Sequence, residues 1–81
     1  MKNSATITVP SHPRYLSVVR AVTVGMAELS GFDGETLEQL KLAVDEACSN
    51  VIKYAYQGNA EKKIVVSFKA EEDYFEVLVE D

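Results

Sequence analysis

Leu40-Lys41-Leu42-Ala43-Val44-Asp45-Glu46-Ala47-Cys48-Ser49-Asn50-Val51-Ile52-Lys53-Tyr54-Ala55-Tyr56 reads as the body of an amphipathic helix. Extended back to Leu37, the apolar positions Leu37, Leu40, Val44, Ala47, Val51 and Ala55 step by 3, 4, 3, 4 and 4. Such steps keep side chains on one face of a 3.6-residue helix, whereas a strand repeats every two. Cys48 falls on the same stripe. Glu46 and Asn50 lie four positions apart, so the helix stacks a carboxylate and an amide on one face. The pair sits beside the apolar stripe and away from Asp45, as a pocket lip at a helix–sheet border would. Oxygen donors so arranged can hold a hydrated Mg²⁺ and place a hydroxyl or water near a phosphate. Taken alone, the pair reads more readily as a solvated helix flank, because Glu and Asn are mostly exposed.

Around this helix the chain reads as a short series of elements. Asp33 supplies an N-cap, with Glu35 and Glu38 in or near the first turn. Gln57-Gly58-Asn59-Ala60 ends the helix. Upstream, a first helix is expected from Arg14 to Ser30, with Tyr15, Val19, Val22, Met26 and Leu29 as its apolar stripe and Gly31 as its stop. Pro13 suits the first turn, with Ser11 or His12 near the cap. Ala5 to Val9 is β-branched and reads as a strand.

Downstream, Ile64, Val66, Phe68 and Ala70 alternate with Lys63, Val65, Ser67 and Lys69. After the polar Glu71-Glu72-Asp73, Phe75, Val77 and Val79 alternate with Tyr74, Glu76, Leu78 and Glu80. That is the pattern of an antiparallel hairpin covered on one face. The order is β-α-α-β-β. The fold expected is α+β, two helices packed on one face of a mostly antiparallel sheet. Asp81 shares the parity of Phe75, Val77 and Val79 and so points toward the helix layer. A carboxylate there needs a hydrogen-bond donor, and a ligand amine would serve.

Composition narrows the function classes. Eighty-one residues make one domain, and an apolar fraction of 47% is that of a globular chain. Net charge is −5 and the eight basic residues are scattered. Nucleic acid is therefore not expected as a direct partner, since neutralising phosphates takes clustered Lys and Arg. A single cysteine forms no intrachain disulfide, and Cys48 with the one histidine, His12, makes no structural zinc set. The first residues show no apolar signal-peptide core, and no run approaches the roughly 18 apolar residues that read as a membrane span. A cytoplasmic location without membrane association is the expectation. Cys48 reads as a small buried apolar group. Asp45 and His12 read as exposed.

Together these residues point to a family. Val44-Asp45-Glu46-Ala47-Cys48-Ser49-Asn50, the preceding Pro10…Pro13-Arg14-Tyr15-Leu16…Val19-Arg20, the Gly31-Phe32 junction and the closing Leu78-Val79-Glu80-Asp81 occur in order over essentially the whole chain. In this the chain resembles the anti-sigma-factor serine/threonine protein kinases, a branch of the histidine-kinase-like, gyrase, Hsp90 and MutL ATPase superfamily. The resemblance implies ATP and Mg²⁺ as cofactors. It makes Asn50 the Mg²⁺ ligand, Glu46 the general base toward a substrate serine, and Asp81 the acceptor of the adenine amino group. Lys53 is implied near the phosphates.

The resemblance also implies a sigma factor and an anti-anti-sigma protein as partners, with the exposed side of the first helix, at Arg20, as a docking face. Members of this type are often homodimers. The fold implied is a histidine-kinase-like ATPase fold, of which residues 1–81 are the N-terminal part of a single kinase domain. The glycine-rich elements expected after Asp81 are absent here, so kinase activity is expected of a longer protein. Two other readings stand beside this one: a non-catalytic protein-docking module, and an ATP hydrolase of the same superfamily.

Overall fold

The computed structural model describes residues 3–55 and 61–80, with only the backbone of Tyr54 and Ala55. Its order is β1 (Asn3–Pro10), a 3₁₀ turn (Pro13–Tyr15), α1 (Leu16–Leu29), α2 (Gly34–Asn50), a π-helical turn (Val51–Ala55), β2 (Lys63–Glu71) and β3 (Tyr74–Glu80). The strands form one sheet in the order β1-β2-β3, antiparallel throughout. The β-α-α-β-β reading therefore holds, and the alternation in β2 and β3 is the observed one. Ile64, Val66, Phe68 and Ala70 are all buried against the helices. The hairpin turn is tighter than the sequence indicates, because Glu71 pairs with Tyr74 and only Glu72 and Asp73 connect the strands.

Three features set the helices. Pro13 opens the 3₁₀ turn, and His12 caps it by accepting the Arg14 N–H on Nδ1 at 3.1 Å. His12 is thus a half-buried capping residue, not the exposed one expected, and the α-helix proper starts at Leu16, two residues later than Arg14. Gly31 takes φ +86, a left-handed value that glycine adopts at no steric cost, and so ends α1. Asp33 occupies the N-cap of α2 with extended backbone, though its side chain makes no capping bond.

The helices are antiparallel neighbours. Arg20, early in α1, donates from Nε to Asp45 Oδ1, late in α2, at 3.1 Å. This corrects the reading of Asp45 as a free surface residue. A pair this exposed adds about 1 kcal/mol at most, but it fixes which side of α2 faces α1. The core is Val9, Val19, Val44, Cys48, Ile52, Ile64, Val66 and Phe68. The Phe68 and Phe75 rings add a tilted contact at 6.3 Å between centroids.

Packing departs from the simple stripes at two places. Leu29 is 56% exposed, while Thr23 and Ala27 are fully buried. α1 touches both the sheet and α2, so its buried arc is rotated toward small residues that allow close approach. The Thr23 hydroxyl is satisfied by the Val19 carbonyl at 2.7 Å. On α2, the buried line is Val44, Cys48 and Ile52, whereas Leu37, Leu40, Ala47 and Val51 are only half-buried. The π-turn holds an extra residue per turn. Ile52 follows Val44 and Cys48 at four-residue steps and so stays on the buried line, while Val51, on the expected stripe, is half-buried. The Ala55 side chain and the Gln57–Ala60 stop lie outside the described residues.

Candidate functional site

The path of the chain fixes which groups lie near one another. Pro10 pairs with Lys63, and Val65 with Glu80, so the end of β1, the start of β2 and the end of β3 share one end of the sheet. α1 starts from that end and finishes at Ser30, which is bonded to Tyr74 at the hairpin end. α2 begins at Gly34, only four positions later, and returns. It therefore runs alongside β3 in the same direction. Its C-terminal residues, Glu46 and Asn50 among them, lie toward the end where β3 finishes.

Between α2 and β3 the two layers leave an open apolar groove of about 250 Å³. Leu40, Ala43, Val44 and Ala47 form one wall and Phe75, Val77 and Val79 the other. Small alanines at positions 43 and 47 give it depth. A groove of this kind suits a flat, mostly apolar ring system whose polar edge meets groups at the rim.

Glu46 and Asn50 flank this groove without lining it. Each follows a groove alanine by three positions, Ala43 to Glu46 and Ala47 to Asn50, so both occupy the strip of α2 beside the wall. Asp45, bonded to Arg20, marks the opposite side of the helix. Both side chains are exposed, so neither turns into the core. Lys53 is exposed on the π-turn one helical turn beyond Asn50. The fourth residue singled out in the sequence, Asp81, lies outside the described residues. Glu46 and Asn50 thus lie on the same helix, four positions apart and both exposed, with Lys53 close in sequence behind them.

A pocket at the helix–sheet border was expected, but its walls escaped sequence reasoning, because they come from segments about 35 positions apart. One signal was available. The apolar arc of α2 is wider than a single core contact requires, and its second half, Leu40, Ala43 and Ala47, is the half that the sheet leaves uncovered. Ser30 also went unread. It is 2% exposed and holds the hairpin by hydrogen bonds to main chain, for which no side-chain pattern exists.

Cys48 sits behind the groove wall, 1% exposed. Burial, with a smaller effect from the Asp45 carboxylate, pushes its thiol up to about 11. A thiol so placed stays protonated and is a poor nucleophile. Among the described residues no helix is long and apolar enough to cross a membrane.

The family model described as the histidine kinase-like ATPase domain matches residues 9–81. Over all 81 residues the chain is 38% identical to the serine-protein kinase RsbW of Listeria innocua. It is 36% identical to the RsbW of Bacillus subtilis over an 84-position alignment that again covers the whole chain. It is 38% identical to that of Oceanobacillus iheyensis over 73 residues, 90% of the chain. The chain spans about half the length of these relatives, 52% of the first two and 46% of the third. With its two-helix layer on an antiparallel sheet and a family match over nearly its whole length, the chain belongs to the histidine kinase-like ATPase family.

Proposed function

We propose that this chain is the base- and metal-binding half of an ATP-dependent serine protein kinase that acts as an anti-sigma factor. The observation that carries the reading is the placement of Glu46 and Asn50 on one strip of α2, at the rim of an open apolar groove. Relatives named serine-protein kinase that align with the whole chain support it.

In this reading the groove takes the adenine ring, and Asp81 accepts its amino group. The donor set suits Mg²⁺ in particular. Among the described residues no group of three or more His, Cys, Asp or Glu could hold a metal. Mg²⁺ needs none, since it keeps several waters and is bound through one or two protein oxygens plus the substrate's phosphates. The Asn50 amide oxygen is the ligand proposed, and the ion, when bound, neutralises phosphate charge. Glu46 orients the serine hydroxyl of the substrate and takes its proton as the oxygen attacks the γ-phosphorus. The bond to the β-phosphate oxygen breaks and ADP leaves. Lys53 steadies the phosphates. The serine belongs to an anti-anti-sigma protein, and the sigma factor is held on the helix layer, on the α1 face beside Arg20, where Ser17 and Ala21 are exposed. The longer protein works as a homodimer in the cytoplasm.

The test uses the longer polypeptide that spans the length of its relatives. Glu46→Ala lowers phosphotransfer to an anti-anti-sigma protein by at least about 100-fold, within the range for loss of a general base, and leaves nucleotide binding intact. Asn50→Ala weakens ATP binding with Mg²⁺ present and leaves it unchanged without. Labelled-ATP transfer and titration calorimetry read the two effects. Wild-type phosphotransfer rates in Glu46→Ala would remove that residue from the chemistry. ATP consumption with no phosphoserine formed would place the protein with the hydrolases, and no nucleotide binding at all would make it a docking module.

A further inference from the structure

The end of α1 is fastened to the start of β3. Ser30 donates its Oγ–H to the Tyr74 carbonyl at 2.7 Å, and its own carbonyl accepts the Asp73 N–H at 3.1 Å. The contact joins residues 44 positions apart, is shielded from water at Ser30, and grips the hairpin turn where Asp73 takes φ 60. Asp73 is a non-glycine residue in the left-handed region, a conformation that persists only where surrounding bonds hold it. β3 is an outer strand among the described residues, hydrogen-bonded to β2 on one side, and it faces α2 across the groove. Its start is held by its ladder to β2 on one side and by Ser30 at the end of α1 on the other. α2, the other groove wall, begins at Gly34, four positions after Ser30, so the Ser30 contact lies where both walls start.

We propose that Ser30 is a positioning residue for nucleotide recognition, setting the separation of the α2 and β3 walls and through it the fit of the base. The proposal rests on the reading of the groove as the adenine site, and it names the residue that governs base affinity there. Ser30 touches neither base nor phosphate in this account. It acts through Tyr74 and the strand that follows, so its effect falls on the part of the affinity that comes from the ring, not on the part that comes from the metal.

The experiment compares wild type, Ser30→Ala and Ser30→Thr in the longer protein. Calorimetry with ADP, with and without Mg²⁺, is combined with hydrogen exchange of the β3 amides. Ser30→Ala leaves the Tyr74 carbonyl without its donor, so ADP binding weakens about five- to tenfold whether or not Mg²⁺ is present. The ratio of the two affinities, which reports Asn50, stays at its wild-type value, and exchange of residues 73–79 speeds up. Ser30→Thr keeps the hydroxyl and restores both readouts toward wild type. Unchanged ADP affinity in Ser30→Ala, against a wild type that binds ADP, would overturn the positioning role alone. A change in the Mg²⁺ ratio would overturn it too. Wild type that binds no ADP would instead overturn the groove reading, and the role of Ser30 with it.

Discussion

Cys48 shows how much a single position can report on the packing around it. In an unfolded chain its thiol titrates at 9.0, and in the folded chain at about 11, chiefly because burial disfavours the thiolate. Between those values the unfolded state has released its proton and the folded state has kept it. Stability therefore falls as pH rises from 9 toward 11, and Cys48 adds no pH dependence below that window. The expected outcome is a drop in urea midpoint across the window for wild type and a shallower drop for Cys48→Ala. Parallel curves would mean that water reaches the sulfur. This burial was legible in the sequence, because Cys48 falls on the apolar stripe of α2. The turn of Asp45 to Arg20 was not, since a carboxylate on a helix flank looks the same whether its partner is water or a neighbouring helix.

At the scale of elements, the strands were the most legible part. A period of two assigns every residue of β2 and β3 to a face, and a slip of one would expose the whole core, so the pattern admits one register. Helix periodicity is less complete. It names an apolar arc without saying which part of the arc the rest of the chain covers. Leu29 lies on the sequence stripe and is exposed, while Ile52 lies off it and is 6% exposed, on the buried line of Val44 and Cys48. This gives a sharp comparison. Ile52→Ala should cost about 2–5 kcal/mol by emptying a core site, and Leu29→Ala about 0.5 kcal/mol or less, as surface changes do. Urea denaturation of the two variants measures the order, and the stripe alone ranks them the other way. A loss of that size at Ile52 is a large share of the 5–15 kcal/mol that holds an ordinary domain together. The candidate site was legible to the same degree as the helices. The four-residue spacing of Glu46 and Asn50 is plain in the chain, but the groove beside them exists only because β3 stands opposite the uncovered half of the arc.

As a whole the molecule is a thin slab, 36 × 23 × 15 Å, one helix layer on one three-stranded sheet. β1 and β3 are both outer strands, and each offers main-chain donors and acceptors on its free edge among the described residues. The two edges are not equivalent. Beside β3 the edge adjoins the apolar groove, so a strand added there satisfies backbone groups and covers Phe75, Val77 and Val79 in one step. A polypeptide of residues 1–81 is therefore expected to self-associate through β3, weakly in low salt because each copy carries a net charge of −5, and more strongly as salt screens that repulsion. Leu78→Lys tests the edge. Leu78 is exposed on the outer face of β3, so the change should alter stability by no more than about 0.5 kcal/mol. It also reduces the net negative charge, which on charge grounds alone favours association. If sedimentation equilibrium nonetheless shows weaker association for Leu78→Lys than for wild type, with Thr6→Lys on β1 unchanged, the β3 edge is the contact. Equal association in all three would take the edge out of the account and leave the groove alone as the adhesive surface.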